Sequence, residues 1–233
     1  MPALATKPAL AAKAATKPAH AAKATKAATP KPPPAKLGGT HTLGPRFLNA
    51  LAFATKLHAT QTRKGSRIPY VAHLLAVAAT TIEAGGSEDQ VIAALLHDAV
   101  EDQGGVSTLH KIRRTFGPEV ANIVEACTDT PEAPKPPWRE RKEHHLAQLK
   151  EARADVALVV AADKLHNART ILADYRKIGD QLFERFQGGK AGTLWYYRSM
   201  QKMLKAKGPE AVVEELDRVV TELERIAARK TKR

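Results

Sequence analysis

Residues 91–102 read VIAALLHDAVED and join an almost wholly apolar run to a cluster of ionisable groups. The apolar run Val91–Leu96 predicts a buried helix. The six residues after it, His97 to Asp102, carry four ionisable side chains. Burying so many charges beside an apolar helix is costly unless a cation or a hydrogen-bond network compensates them, and imidazole with carboxylate suits a divalent transition metal. We therefore expect a metal site at the end of this helix, the alternative being a helix end capped by polar residues.

Helical spacing divides these four groups into two pairs. Glu101 lies one turn after His97, and Asp102 lies one turn after Asp98, so the second pair can face the same site as the first. One pair could then bind the ion while the other acts on water.

Two further side chains are candidates to complete the coordination shell. His73 interrupts the apolar run 71–75, and Asp163 follows the apolar run 159–162. Asn167 and Thr170 lie on the same helical face as Asp163. A lone histidine in such a run is more often a core residue than a ligand, and a lone buried aspartate is costly. A metal shared with residues 97 and 98 would explain both.

Helical periodicity continues along the chain from Arg46 to its end. The spacing of Phe47, Leu51 and Ala54 predicts one helix, and residues 212–226 predict a long amphipathic one. Strand patterns are nearly absent. Turn residues divide the chain into roughly eight to ten helices; the breaks are Gly85-Gly86, Gly104-Gly105, Gly117-Pro118, residues 131–137 and Gly188-Gly189. The expected fold is an all-α domain over residues 46–233.

Residues 1–45 differ in composition from the rest of the chain. They hold seven lysines, no acidic residue and eight of the 15 prolines, within a loose repeat of Ala, Thr, Lys and Pro. Such a segment predicts a disordered basic tail. Three interpretations remain open for it: nonspecific contact with nucleic-acid phosphates, a solvated extension without a partner, and a cleavable transit peptide.

The overall composition predicts a soluble cytoplasmic protein. The formal net charge is +13, concentrated in the tail, and suggests an anionic partner. Cys127 is the single cysteine, which excludes an internal disulfide and favours a reducing compartment. No apolar run approaches the roughly 20 residues that a bilayer span needs, so no membrane association is expected.

The motifs, taken in order, resemble those of the HD-domain metal phosphohydrolases. Within them the pattern is most similar to the alarmone hydrolase domain of RelA/SpoT-type proteins, especially the stand-alone small alarmone hydrolases. The resemblance spans about residues 46–205 and rests on Arg63-Lys64-Gly65, Pro69-Tyr70-x-x-His73, ALLHDAVED at 94–102, Phe116-Gly117 before Val120, and ADKLHN at 162–167 with Thr170.

The resemblance implies an HD-domain helical bundle that hydrolyses guanosine tetra- and pentaphosphate. The 3′-pyrophosphate would be removed, giving GDP or GTP and pyrophosphate. One Mn²⁺ would be bound by His73, His97, Asp98 and Asp163. Glu101 and Asp102 would act on the water, with Glu101 activating or orienting it. The nucleotide would be held by Arg63 and Lys64 at the base and phosphates, by Asn167 and Thr170 at the nucleoside, and by Arg141 and Lys142 at the outer phosphates.

Some features depart from the family pattern or leave alternatives open. Gln103 stands where family members commonly have Thr, and the segment 63–73 is one residue longer than in the long bifunctional enzymes. No room for a synthetase domain follows residue 205, so we expect hydrolysis only. Trp195, Tyr196 and Tyr197 could contact the nucleoside or pack in the core.

Two other classes of function remain alternatives. One is an HD phosphohydrolase acting on a 5′-nucleotide, a deoxynucleotide triphosphate or an adenosine-type alarmone. The other is a nucleic-acid-binding protein in which the HD domain serves only as a scaffold.

Overall fold

The structure, a computed structural model, describes residues 42–130 and 136–230, and side chains as far as residue 228. Within these ranges the chain forms ten α-helices and one 3-10 helix and has no strand, which confirms the all-α prediction. The helices are α1 (Pro45–Leu57), α2 (Val71–Glu83), α3 (Glu88–Leu96), α4 (Ala99–Asp102), α5 (Gly105–Phe116), α6 (Pro118–Cys127), α7 (Trp138–Glu151), α8 (Ala154–Ile178), the 3-10 helix Gly179–Arg185, α9 (Gly189–Leu204) and α10 (Glu210–Lys230).

The helix boundaries follow the turn residues that the sequence shows. Ser87 caps α3 in a capping box with Gln90, in which each side chain bonds the other residue's backbone N–H. Gly117 separates α5 from α6 at a φ of 95°, and Pro118 occupies the first turn of α6, where its missing N–H is not needed. The predicted breaks at Gly85-Gly86, Gly104-Gly105, Gly117-Pro118 and Gly188-Gly189 therefore coincide with observed ends of helices, whereas residues 131–135 of the break predicted at 131–137 lie outside the described residues.

Helices α3 and α8 form the centre of the bundle. Every residue of Val91–Leu96 is buried, as predicted, and α3 packs against α1, α2, α6 and α8. Helix α8 is buried along much of its 25 residues and also packs against α10. Helix α10 contributes Leu216, Val220 and Leu223, which are fully buried. The two central helices place the motif residues at 97–98 and 163–167 inside the bundle.

The first described helix begins one residue before the predicted start of the domain at residue 46. Helix α1 starts at Pro45, and the Gly44 N–H donates to Glu88 Oε1 at 2.8 Å. Arg46 bonds the carboxylates of Glu88 and Asp89 and the Phe116 carbonyl, which fixes α1 to the rest of the bundle. The predicted disordered tail, apart from residues 42–45, lies outside the described residues. Among the described helices, none combines the length and apolar character needed to cross a membrane.

Candidate active site

Four side chains predicted as metal ligands meet where α2, α3 and α8 converge. His73 lies in the first turn of α2, His97 and Asp98 connect α3 to α4, and Asp163 lies midway along α8. One ligand atom from each of His73, His97 and Asp163 lies within 4.8 Å of the others, and all three residues are buried. Asp98 Oδ2 lies 2.9 Å from His97 Nε2 and 3.5 Å from His73 Nε2. The fold therefore brings all four together.

The Nε2 atoms of both imidazoles face the middle of this cluster. His97 Nδ1 lies 2.8 Å from the Ala94 carbonyl oxygen. A carbonyl only accepts, so Nδ1 carries the hydrogen and Nε2 of the neutral ring has the lone pair. The Nε2 atoms of His73 and His97 are buried and make no hydrogen bond of good geometry, although Asp98 Oδ2 lies 2.9 Å from His97 Nε2 and Asp163 Oδ1 lies 3.2 Å and 3.6 Å from His73 and His97. Buried polar atoms are normally paired, and a bound cation would satisfy both.

The charges around the cluster also favour a cation at its centre. Burial lowers the pKa of His97, but the carboxylates of Asp98 and Asp163 outweigh burial and raise that pKa well above its usual value. Burial raises the pKa of Asp98 and of Asp163, yet the neighbouring cationic groups outweigh it and hold both pKa values well below the usual range. Two ionised carboxylates facing two imidazoles suit a divalent transition metal ion.

Hydrogen bonds hold the two carboxylates in place. Asp163 Oδ2 accepts from Lys164 Nζ at 2.6 Å, and Asp163 Oδ1 accepts from Asn167 Nδ2 at 2.5 Å. The Tyr70 hydroxyl donates to Asp98 Oδ2 at 2.5 Å. Partners of this kind orient metal ligands and tune their basicity.

A cavity of about 680 Å³ lies beside this cluster and has the size of a nucleotide-binding pocket. Its wall includes His73 and the cationic side chains of Arg63, Lys64 and Arg185. Gly65, at a φ of 73°, lets the loop approach Arg185, because a Cβ there would lie 2.5 Å from Arg185 Nε. Arg185 Nη1 donates to Asp174, a carboxylate of the same wall, at 3.0 Å, so Arg63 and Lys64 supply most of the positive charge that the cavity offers next to the candidate metal site.

Comparison with protein families assigns the domain. The family model described as HD domain matches residues 50–193, more than half of the chain. The chain belongs to the HD domain family. HD domains imply a divalent metal, which agrees with the cluster of His73, His97 and Asp163.

The curated relatives of this HD domain include proteins named as guanosine-3′,5′-bis(diphosphate) 3′-pyrophosphohydrolases and others named as GTP pyrophosphokinases. The guanosine-3′,5′-bis(diphosphate) 3′-pyrophosphohydrolase MESH1 of Xenopus tropicalis is 39% identical over 128 residues, which cover 54% of this chain and 69% of that protein. A probable guanosine-3′,5′-bis(diphosphate) 3′-pyrophosphohydrolase of Synechocystis is 38% identical over 144 residues. That match covers 58% of this chain and 18% of the relative, so the chain spans less than a fifth of that longer protein.

Solved structures share the fold of this HD domain. The structure reported for a metazoan SpoT orthologue superposes with a TM-score of 0.63 at 24% identity, covering 77% of this chain and 96% of that one. The structure of lmo0812 from Listeria monocytogenes gives a TM-score of 0.56 at 30% identity, covering 65% and 97%. The described helices therefore share their arrangement with these two solved structures.

Four of the predicted nucleotide-binding residues line the cavity of this HD domain: Arg63, Lys64, Asn167 and Thr170. Arg63 Nη2 donates to Asn167 Oδ1 at 2.6 Å, which connects the cavity wall to Asp163. Of the two predicted water-handling residues, Asp102 lines the cavity, whereas Glu101 is half-buried on α4 and is not part of its wall.

Arg141 and Lys142, expected at the outer phosphates, lie elsewhere. Both side chains bond Asp129 Oδ2, Lys142 at 2.9 Å, and Arg141 also donates to the Pro136 carbonyl. Asp129 is buried, so its carboxylate needs these cations as partners. The structure therefore assigns the pair to a buried ion cluster and does not bring it to the cavity.

The three aromatic residues at 195–197 separate into different environments. Tyr197 lines the cavity. Trp195 contacts the Trp138 ring, and the Arg139 guanidinium lies 3.3 Å from the Trp195 ring centre. Tyr196 is buried among neighbouring rings. Only Tyr197 is placed to contact a bound molecule.

Sequence reasoning gave no role to several residues that support the ligands. Tyr70 bonds Asp98, Lys164 bonds Asp163, and His166 Nδ1 lies 2.7 Å from His73 Nδ1. Burial, followed by the positive charges nearby, lowers the pKa of His166 to about 4, so this ring is neutral at pH 7. All three lie within the motifs quoted from the sequence, where their positions close to the candidate ligands could have indicated a supporting role. Arg185, on the 3-10 helix, lies outside those motifs.

Proposed function

We propose that this HD domain hydrolyses guanosine tetra- and pentaphosphate, releasing pyrophosphate from the 3′ position. One observation carries the proposal: a buried cluster of two imidazoles and two carboxylates, with two unpaired Nε2 atoms, lies beside a cavity that presents Arg63, Lys64 and Arg185. The names of the relatives from Xenopus and Synechocystis support the choice of nucleotide.

The four residues His73, His97, Asp98 and Asp163 would hold one divalent ion, which we propose to be Mn²⁺ because two imidazoles suit it better than the harder Mg²⁺. When bound, such an ion polarises a phosphoryl oxygen and lowers the pKa of water. The hydrogen bonds from Tyr70 and Lys164 would keep the carboxylates oriented.

The cationic wall of the cavity would bind the phosphates. Lys64 is exposed, with Nζ 5.5 Å from the Phe186 ring centre, and its charge can turn towards a phosphate at little cost. Arg63 has further N–H groups besides the one that bonds Asn167 and can bind a phosphate in the two-pronged manner of a guanidinium. Asn167 and Thr170 would contact the nucleoside.

The reaction requires water to attack the phosphorus that carries the nucleoside 3′ oxygen. The bond between that phosphorus and the 3′ oxygen breaks, the 3′ oxygen takes up a proton, and pyrophosphate and GDP or GTP are released. Asp102 lines the cavity, and Gln61 Nε2 donates to its Oδ2 at 2.8 Å, so the other carboxylate oxygen can accept the proton of the water. Glu101, one turn after His97, would orient the water.

A nucleotide panel tests the proposal. Protein stripped of metal and reconstituted with Mn²⁺ is incubated with ppGpp, pppGpp, the adenosine counterpart, GTP and deoxynucleotide triphosphates, and the products are separated by anion exchange. We expect GDP or GTP with pyrophosphate from the guanosine alarmones. Efficient turnover of GTP or a deoxynucleotide triphosphate with ppGpp left intact would replace the proposal by the broader HD phosphohydrolase activity. Absence of turnover, combined with nucleic-acid binding, would favour a scaffold role.

The remaining proposals rest on the sequence. The single cysteine and the absence of a long apolar run favour the cytoplasm. Contact between the tail and nucleic acid rests only on the seven lysines among residues 1–45.

A further inference from the structure

Gln61 lies in the connection between α1 and α2, and both the nitrogen and the oxygen of its side-chain amide form hydrogen bonds. Its Nε2 donates to Asp102 Oδ2 at 2.8 Å. Its Oε1 accepts from Gln103 Nε2 at 2.7 Å and lies 2.6 Å from His58 Nδ1. The motifs quoted from the sequence do not include Gln61 or His58, and Gln103 stands out there only as a departure from the family pattern.

These contacts leave the Gln61 amide one orientation. A carboxylate only accepts, so the group facing Asp102 must be the NH₂. The opposite end must then be the carbonyl oxygen, which can accept from both Gln103 and His58. A flipped amide would place Oε1 against the Asp102 carboxylate and its NH₂ against the Gln103 donor, which loses two hydrogen bonds. The direction of the N–H towards Asp102 is therefore set by the two donors behind it.

The backbone around Gln61 is also fixed. Its carbonyl accepts from the Tyr70 N–H at 2.9 Å, its N–H donates to the His58 carbonyl at 3.1 Å, and Thr62 pairs with Pro69 in an isolated β-bridge. The His58 ring stacks on the Tyr70 ring with centroids 5.3 Å apart. Tyr70 in turn bonds Asp98, so the support of Asp102 and that of a candidate ligand share one rigid segment.

We propose that Gln61 and Gln103 are positioning residues for Asp102, holding its carboxylate in the one orientation that serves the water. Gln61 acts directly on Asp102, and Gln103 acts through Gln61. The proposal rests on the proposed function, because it assigns the water-handling role to Asp102. Gln103 is the outer member of this relay, and a threonine at this position would be too short to span the same distance to Gln61 Oε1.

A mutant cycle measures the coupling. Gln61→Met keeps the side-chain length and removes the N–H donor, and we expect kcat to fall about 10- to 100-fold, as for other residues that orient a catalytic group. Gln61 itself lines the cavity, so KM separates a positioning role from direct contact with the nucleotide. If Gln61 acts through Asp102, KM for the nucleotide and Mn²⁺ affinity should stay within twofold of wild type, because no candidate ligand or cationic wall residue changes. Gln103→Thr should cause a smaller loss of kcat, since His58 still contacts Gln61 Oε1. Gln148→Met, an exposed site on α7, is the matched control and should leave kcat unchanged.

The decisive comparison is made in an Asp102→Ala background, with single-turnover kinetics under excess enzyme to extend the measurable range. If Gln61 and Gln103 act through Asp102, neither substitution lowers the rate further once the carboxylate is gone. An equal loss in both backgrounds, a rise in KM with kcat unchanged, or no loss in either single variant would overturn the proposal. If Gln61→Met does not fold, as judged by its melting temperature, Gln103→Thr carries the same cycle. The cycle is run on whichever nucleotide the wild type hydrolyses, so that failure of the ppGpp assignment and failure of the positioning role are separate results.

Discussion

Adding Mn²⁺ to the metal-free protein should raise its melting temperature substantially. The reason lies in the cluster of His73, His97, Asp98 and Asp163, where two buried Nε2 atoms have no hydrogen-bond partner. An unsatisfied buried polar atom costs about 1–3 kcal/mol. A divalent ion at the centre would satisfy both atoms and would also bring together the two ionised carboxylates.

The size of the effect follows from linkage between binding and folding. At a free metal concentration 1,000 times Kd, a ligand that binds only the folded state adds about 4 kcal/mol to the free energy of unfolding. For a domain of this size each kcal/mol shifts the melting temperature by about 2–4 °C. We therefore expect an increase of about 8–16 °C.

Calorimetry or dye-monitored melting of chelator-treated protein, with Mn²⁺ added in steps, measures this shift, and equilibrium dialysis counts the ions bound. His73→Gln should abolish the metal-dependent increase. His144→Gln, an exposed histidine outside the cluster, is the matched control and should retain it. Absence of a shift in wild type up to millimolar Mn²⁺, or an undiminished shift in His73→Gln, would refute the assignment of the site.

Substitutions at Glu101 and Asp129 and removal of the tail test three other parts of the molecule. Glu101→Gln should retain the Mn²⁺-dependent stabilisation and lower turnover by at least about 100-fold, because it removes a group proposed to act on water but no candidate metal ligand. Melting temperatures and product release measure the two effects, and loss of metal binding would contradict the role. Asp129→Asn should lower the free energy of unfolding at pH 7 by about 3–5 kcal/mol, since it leaves buried cations uncompensated. Burial raises the pKa of Asp129, but Lys142, His145 and Arg141 together outweigh burial and hold that pKa below its usual value. The contribution of Asp129 to the free energy of unfolding is therefore present above the unfolded pKa of about 3.9 and is lost as pH falls through the folded pKa. Urea titrations should show the stabilities of the variant and the wild type converging in acid. A chain that begins at Thr42 keeps the Gly44 contact with Glu88 and should retain the wild-type kcat. Any change in KM should vanish as salt rises above about 0.1 M, because salt screens the attraction between the lysines of the tail and the nucleotide. Loss of kcat would show that the tail helps to build the site.

The central part of the fold and the ligand cluster could be predicted because both depend on local pattern. Val91–Leu96 is apolar on every side, a property of a helix that is surrounded by others, and the structure buries it completely. His73 and Asp163 each break an apolar run, so their polarity required an explanation that a shared site supplied. Helix ends followed from glycine and proline for the same local reason.

Pairings between distant segments could not be predicted in the same way. Arg141 and Lys142 form part of a basic stretch, and nothing in their spacing showed that the buried carboxylate of Asp129 would take both. Gln61 and Gln103 are separated by 42 positions, and no periodicity connects them.

Hydrogen bonds connect the cationic wall of the cavity to the candidate metal ligands. The Asn167 amide donates to Asp163 Oδ1 and accepts from Arg63 Nη2, so one amide orients both a candidate ligand and a cationic residue of the cavity wall. Lys164 holds the second oxygen of the same aspartate. A phosphate that binds the remaining N–H groups of Arg63 can leave its bond to Asn167 in place, whereas a movement of Arg63 that breaks this bond leaves the Asn167 oxygen without this donor. A displacement of Arg63 in the cavity wall therefore acts, through the Asn167 amide, on the orientation of Asp163.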